Sequence, residues 1–163
     1  MVKATATSAL HPDAAAGVPR GCTNLKLRQL TRRVSQHYDR IVASAGLKTT
    51  QYSLLSYVVR LGPARPGDIA AAMEMDASTL TRNLKPLVSA GLLTLGGGAD
   101  GRSRLVGITD AGREKRQEAQ RRWRVAQEGI NTVLGPQRVV ALHALLDDCM
   151  ARLSPLPDGE NDE

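Results

Sequence analysis

DASTLTRNLKPLVSAGLLTLGGGADGRSRLVGIT, residues 76–109, is the stretch whose reading decides the fold. Asp76 is a helix-capping type. Behind it Leu80, Leu84, Leu87 and Val88 recur at three- and four-residue steps, the stripe of a helix buried on one side. Gly91 ends that helix, and Pro86 inside it predicts a kink beyond its first two turns. Leu92–Leu95 and Leu105–Ile108 are short apolar runs that read as paired strands. Between them, Gly96, Gly97, Gly98 and Gly101 predict a flexible hairpin tip that carries Asp100, Arg102 and Arg104.

Upstream, Arg65-Pro66 opens a short helix with proline in its first turn, and Ile69, Ala70 and Met73 form its inner face. Glu74-Met75 is a tight turn. Helix, turn and capped helix make a helix-turn-helix, and the hairpin that follows stands where a wing would. Before it, Thr49 or Thr50 is expected to cap a helix to about Leu61, with Tyr52, Leu55, Val58 and Val59 on one side. A longer helix from Thr23 to about Ala45 carries Leu27, Leu30, Val34, Tyr38 and Ile41 as a stripe and stops at Gly46. Downstream, Thr109 or Asp110 caps a long helix to about Val133. After Gly135-Pro136, a last helix to about Leu153 carries Val139, Leu142, Leu146, Cys149 and Leu153.

The fold expected is therefore mainly α with a small β-hairpin wing. Residues 1–20, without period, read as a disordered arm, 21–153 as one domain and 154–163 as an acidic tail. Within the domain, about 49–109 form one lobe, flanked by N- and C-terminal helices at about 22–45 and 110–153.

Phe is absent, and Tyr38, Tyr52, Tyr57 and Trp123 are the only aromatics, so the core must be aliphatic. The net charge of +6 is unevenly placed. From Arg102 to Arg124 there are eight basic residues, against Asp110, Glu114 and Glu118. That excess suits a polyanion; it also suits a solvated helix face. Cys22 and Cys149 do not make a disulfide framework, and neither a signal peptide nor a membrane span is legible, so a reducing cytoplasm is the expected setting. His11, His37 and His143 lack metal-ligand spacing, and no cofactor is expected. No nucleophile–base set or phosphate-binding loop points to an enzyme.

A major groove accepts one α-helix, whose N-terminal residues reach base edges. Ser78, Thr79, Thr81, Arg82 and Lys85 are the right types for that face. Arg82 suits bidentate contact with guanine; Ser78 and Thr79 suit phosphate or a thymine methyl. Arg102 and Arg104 suit a narrow minor groove, with Asp100 placed to aim Arg102.

These residues carry a resemblance. Thr50–Leu55, Asp68-Ile69-Ala70, Asp76 through Leu92, Asp100–Arg104 and Leu105 through the Ile-Thr-Asp-Ala-Gly ending at Gly112 are similar to the MarR family of winged helix-turn-helix regulators. The resemblance covers roughly residues 22–153. It implies a homodimer, often a repressor, on a pseudo-palindromic double-stranded DNA operator, with the family's wing Asp and Arg at Asp100 and Arg102. The stripes of the first and last helices independently exceed what one small domain can cover. Leu27, Leu30, Val34, Leu142, Leu146 and Leu153 are assigned to the dimer interface or the adjoining core.

Family members often take small aromatic or phenolic effectors between the dimerisation helices and the DNA-binding lobe. Arg33, His37, Tyr38, Gln51, Tyr57 and Trp123 are the lining candidates here; core and surface roles are the competing reading. Cys22 and Cys149 raise a redox-sensing alternative. The peroxide-sensing branch, however, would place its Cys at Asn24 and its second Tyr at Thr49. A winged-helix protein-interaction module without DNA binding is the remaining alternative, and the joint presence of Arg82, Lys85, Arg102 and Arg104 argues against it.

Overall fold

The computed structural model describes residues 20–97 and 104–153. In chain order they form α1 (Thr23–Val42), a 3-10 turn (Ala43–Ala45), α2 (Thr49–Leu61), α3 (Pro66–Ala72), α4 (Ala77–Ser89), β1 (Leu93–Gly97), β2 (Arg104–Ile108), α5 (Asp110–Leu134) and α6 (Pro136–Leu153). The fold is mainly helical with one small hairpin, as the apolar periodicities require. No helix among the described residues is long and apolar enough to cross a membrane.

The core is aliphatic. Leu54, Leu55 and Val58 of α2, Ile69 of α3, Leu80 and Leu87 of α4, Leu93 of β1 and Val106 of β2 are almost wholly withdrawn from solvent. Each such side chain contributes about 1.5–3 kcal/mol through burial. The strands pair antiparallel in the register Leu93 with Ile108 and Leu95 with Val106. The hairpin is anchored as well as paired: Ala64, between α2 and α3, exchanges backbone hydrogen bonds with Val106 at 2.9 and 3.2 Å. β2 is thereby joined to the helix-turn-helix, and the hairpin cannot swing independently of α3.

Several helix ends follow local chemistry. Gly46 takes the left-handed conformation after the 3-10 turn, φ 70°. At the end of α4 the N–H of Leu92 bonds to the Leu87 carbonyl and that of Gly91 to the Val88 carbonyl, a Schellman arrangement with Gly91 at φ 68°. α4 runs on through Pro86 to Ser89. At α2, by contrast, the expected Thr cap is not used. Lys48 holds the cap position and Thr49 is already helical. The free N–H groups go elsewhere: Lys48 donates to Oε1 of Gln51 at 2.8 Å, and Thr49 donates to Oδ1 of Asp39 on α1 at 2.9 Å. A carboxylate from another helix thus does what a local hydroxyl was expected to do.

Three elements meet at Thr109. Its hydroxyl accepts from the N–H of Gly112 at 2.9 Å, capping α5, and lies 2.8 Å from the Gly91 carbonyl and 3.1 Å from that of Leu92. Its own N–H donates to the Leu92 carbonyl at 3.2 Å. The end of α4, the start of β1 and the start of α5 are tied by one side chain, a capping interaction worth about 1 kcal/mol before the added bonds.

Candidate nucleic-acid interface

Asp76 organises the exposed end of α4. As N-cap, its Oδ1 accepts from the N–H of Thr79 at 2.7 Å. The hydroxyl of Ser78 donates to Oδ1 at 2.5 Å, and that of Thr79 to Oδ2 at 2.7 Å. These bonds, led by the two hydroxyls, hold the Asp76 carboxyl well below the usual carboxylate range. Because the folded value is the lower one, the cap's contribution is complete above the ordinary carboxylate pKa of about 4 and fades only as pH falls below it. Thr81 donates to the Ala77 carbonyl at 2.8 Å. Arg82 donates to the Thr79 hydroxyl oxygen at 3.2 Å.

Ser78, Thr81, Arg82 and Lys85 are exposed, and Thr79 is half-buried. The hydroxyls of Ser78, Thr79 and Thr81 already spend their protons within the chain. Their lone pairs are left to accept from a further donor. Lys85 and Arg104 come together: with Thr81, Leu84, Val88 and Leu95 they line one groove of about 390 Å³ between α4 and the hairpin. Asp100 and Arg102 lie outside the described residues.

The basic excess on α5 divides. Lys115 pairs with Glu118 at 2.8 Å, which draws the Glu118 carboxyl below its ordinary value. Arg116 donates to the Ser56 hydroxyl of α2 at 3.3 Å. Arg113, Arg121, Arg122 and Arg124 stay exposed. Two of the α5 cations are therefore internal fasteners, a division that spacing alone did not reveal.

The residues considered for an effector are only partly gathered. His37 and Tyr38 of α1 meet α5: Nε2 of His37 lies 2.9 Å from the Ala126 carbonyl, and the Tyr38 hydroxyl donates to Oε1 of Gln127 at 2.5 Å. A Cβ on Gly129 would lie 3.0 Å from the His37 ring, so the absent side chain makes room for the histidine. Trp123 stands between Tyr38 and Tyr52, with ring centroids at 6.4 and 6.2 Å. Burial pushes the Tyr38 phenol up. Gln51 is committed to the α2 cap, Tyr57 lies beneath the Arg60 guanidinium at 4.3 Å, and Arg33 is exposed. Tyr52 and Gln127 belong to the cluster but were not picked out from sequence; the aromatic type of Tyr52 was the available signal.

Cys22, at the cap position of α1, and Cys149, on α6, are exposed free thiols. Among the described residues no group of His, Cys, Asp and Glu is gathered in a way that could hold a metal ion.

A capped, exposed helix beside an anchored hairpin, with a preceding helix across a tight turn, defines a winged helix-turn-helix protein. The family model for MarR matches residues 45–103. The chain is 31% identical to the M. tuberculosis transcriptional regulator MosR, solved in complex with DNA, over 80% of this chain and 98% of that one, with a TM-score of 0.67. It is 26% identical to a probable transcriptional regulator from Pseudomonas aeruginosa over 77% and 95% of the two chains, TM-score 0.71. The transcriptional repressor CouR, bound to a 23-mer DNA duplex, shares the fold at TM-score 0.73, with 21% identity over 79% and 92% of the chains. No curated protein matches the sequence. The chain belongs to the MarR family of winged-helix transcriptional regulators, which makes it a regulator and not an enzyme.

Proposed function

We propose that the protein is a sequence-specific, double-stranded-DNA-binding regulator that acts as a homodimer on a pseudo-palindromic operator. The observation that carries this reading is the placement of Lys85 and Arg104, from the recognition helix and the hairpin, on one groove beside exposed Arg82. α4 enters the major groove with Arg82 on a guanine edge and Ser78 and Thr81 as hydrogen-bond acceptors. Lys85 and Arg104 neutralise phosphate, and Arg102 supplies the cation for the adjacent minor groove. The likeness to a regulator solved on DNA supports the same ligand here. Residues 49–109 serve as the DNA-binding lobe, and residues 22–45 and 110–153 as the dimerisation part.

The protein acts as a repressor that a small aromatic or phenolic ligand relieves. His37, Tyr38 and Trp123, gathered where α1 meets α5, support a ligand seat at that junction. Occupation there would alter the spacing of the two recognition helices, so that one dimer no longer engages both half-sites.

The test is titration of the protein with duplex from upstream of its own gene at several salt concentrations. Arg102→Ala is expected to weaken binding and lower the slope of log affinity against log salt by about 1. An unchanged affinity and slope would remove Arg102 from the interface.

A further inference from the structure

We infer that Thr79 is a positioning residue for Arg82: held by Asp76, it aims the guanidinium before DNA arrives. This rests on the DNA-binding reading above and goes beyond it by assigning a specificity role to a side chain that need not touch a base. The hydroxyl of Thr79 has one proton, and that proton is directed to Oδ2 of Asp76 at 2.7 Å. Its lone pairs are consequently turned away from the cap, and one accepts from a terminal nitrogen of Arg82 at 3.2 Å.

The backbone keeps both ends of this chain in register. The N–H of Thr79 is itself bonded to Asp76 at 2.7 Å, so Asp76 fixes Thr79 twice, by main chain and by side chain. Arg82 follows Thr79 by three residues, on the same helix face. An unrestrained arginine gives up much rotamer freedom when it forms a bidentate contact. Here one N–H of five, on Nη2, is tied internally, which leaves four N–H groups, the second one on Nη2 among them, free for the O6 and N7 acceptors of guanine. Part of the ordering cost is met before binding, and the benefit falls on specific sites, where the guanidinium must adopt one orientation. Non-specific complexes depend on charge, which Thr79 does not alter.

This assignment also separates Thr79 from its neighbours. Ser78 likewise donates to Asp76, and Thr81 donates to the Ala77 carbonyl, but among the described residues Arg82 bonds to Thr79 alone of the three. Of the three hydroxyls, only that of Thr79 stands between the cap and the cation.

A double-mutant cycle on the full chain tests the relay, using a duplex that the wild-type protein enriches from a random-sequence pool and a scrambled duplex of the same length. Thr79→Val keeps the shape and the capping N–H but removes the acceptor. It is expected to weaken binding to the enriched duplex about tenfold, with affinity for the scrambled duplex and the salt slope unchanged. Thr79→Ser should restore affinity to within about twofold. Thr79→Val combined with Arg82→Ala should bind no worse than Arg82→Ala alone. Multiplying losses in the double variant, or failure of Thr79→Ser to restore binding, would overturn the relay. Thr79→Ala, which avoids any crowding by a second methyl, must repeat the Thr79→Val result if the acceptor is what matters. Failure of the wild-type protein to enrich any duplex would overturn the DNA-binding reading, and the relay with it.

Discussion

Gly112→Ala is expected to destabilise the fold by about 3 kcal/mol or more, at the upper end of what overpacking a dense site costs. A Cβ built on Gly112 would lie 2.0 Å from the Leu92 carbonyl oxygen and 2.9 Å from Cγ1 of Ile108. The first contact is with backbone, which no side-chain rotation relieves. That carbonyl is also engaged: it accepts from the N–H of Thr109, and the Thr109 hydroxyl lies 3.1 Å from it. The first turn of α5 would have to lift from the start of β1, and the Thr109 cap would go with it. Thermal unfolding should show a midpoint lowered by on the order of 10 °C, whereas a shift within about 2 °C would mean that α5 and β1 can separate freely. The Ile-Thr-Asp-Ala-Gly motif thus has a packing explanation. Threonine ties three elements together and glycine lets α5 sit against the hairpin's base.

Leu30→Asp should convert the protein to a monomer. α1, α5 and α6 enclose a groove of about 240 Å³ lined by Leu27, Leu30, Val34, Leu142 and Leu146. In a single chain Leu27 and Leu30 remain 45% and 39% exposed, and Leu153 59%. Apolar side chains clustered along one groove and left uncovered suit a second copy. An aspartate buried there without a partner costs several kcal/mol, enough to raise the dimer dissociation constant at least a hundredfold. Because Leu30 is exposed in the single chain, the fold of each protomer should survive. Sedimentation should give one chain per particle, with binding to a two-half-site duplex falling in parallel. A variant that stays dimeric would place the interface elsewhere.

The element order was legible because local chemistry and burial agree. Leu80, Leu84 and Leu87 are spaced for one helix face, and all three are buried. Asp76, Gly91 and Thr109 are capping types at positions where caps were needed. Where partners are distant in sequence, spacing was silent. Thr49 looked like a cap, yet α2 takes its acceptor from Asp39, ten residues away on α1. Arg116 looked like part of a cationic face, yet it reaches Ser56 across sixty residues. In the candidate site, residue types marked Ser78, Thr79, Thr81, Arg82 and Lys85 as a set. The direction of each hydroxyl proton depends on Asp76 and on the helix backbone, and changes what the set can recognise. Tyr52 escaped notice as a partner of Trp123 because α2 and α5 meet only in three dimensions.

The proposed dimer reads one duplex with two copies of α4. Hydroxyl-radical footprinting on an enriched duplex, with the stoichiometry of the complex measured alongside, tests it most directly. Two chains per duplex should protect two symmetric patches centred about one helical turn, roughly 10 base pairs, apart. A single protected patch with one chain per duplex would contradict it.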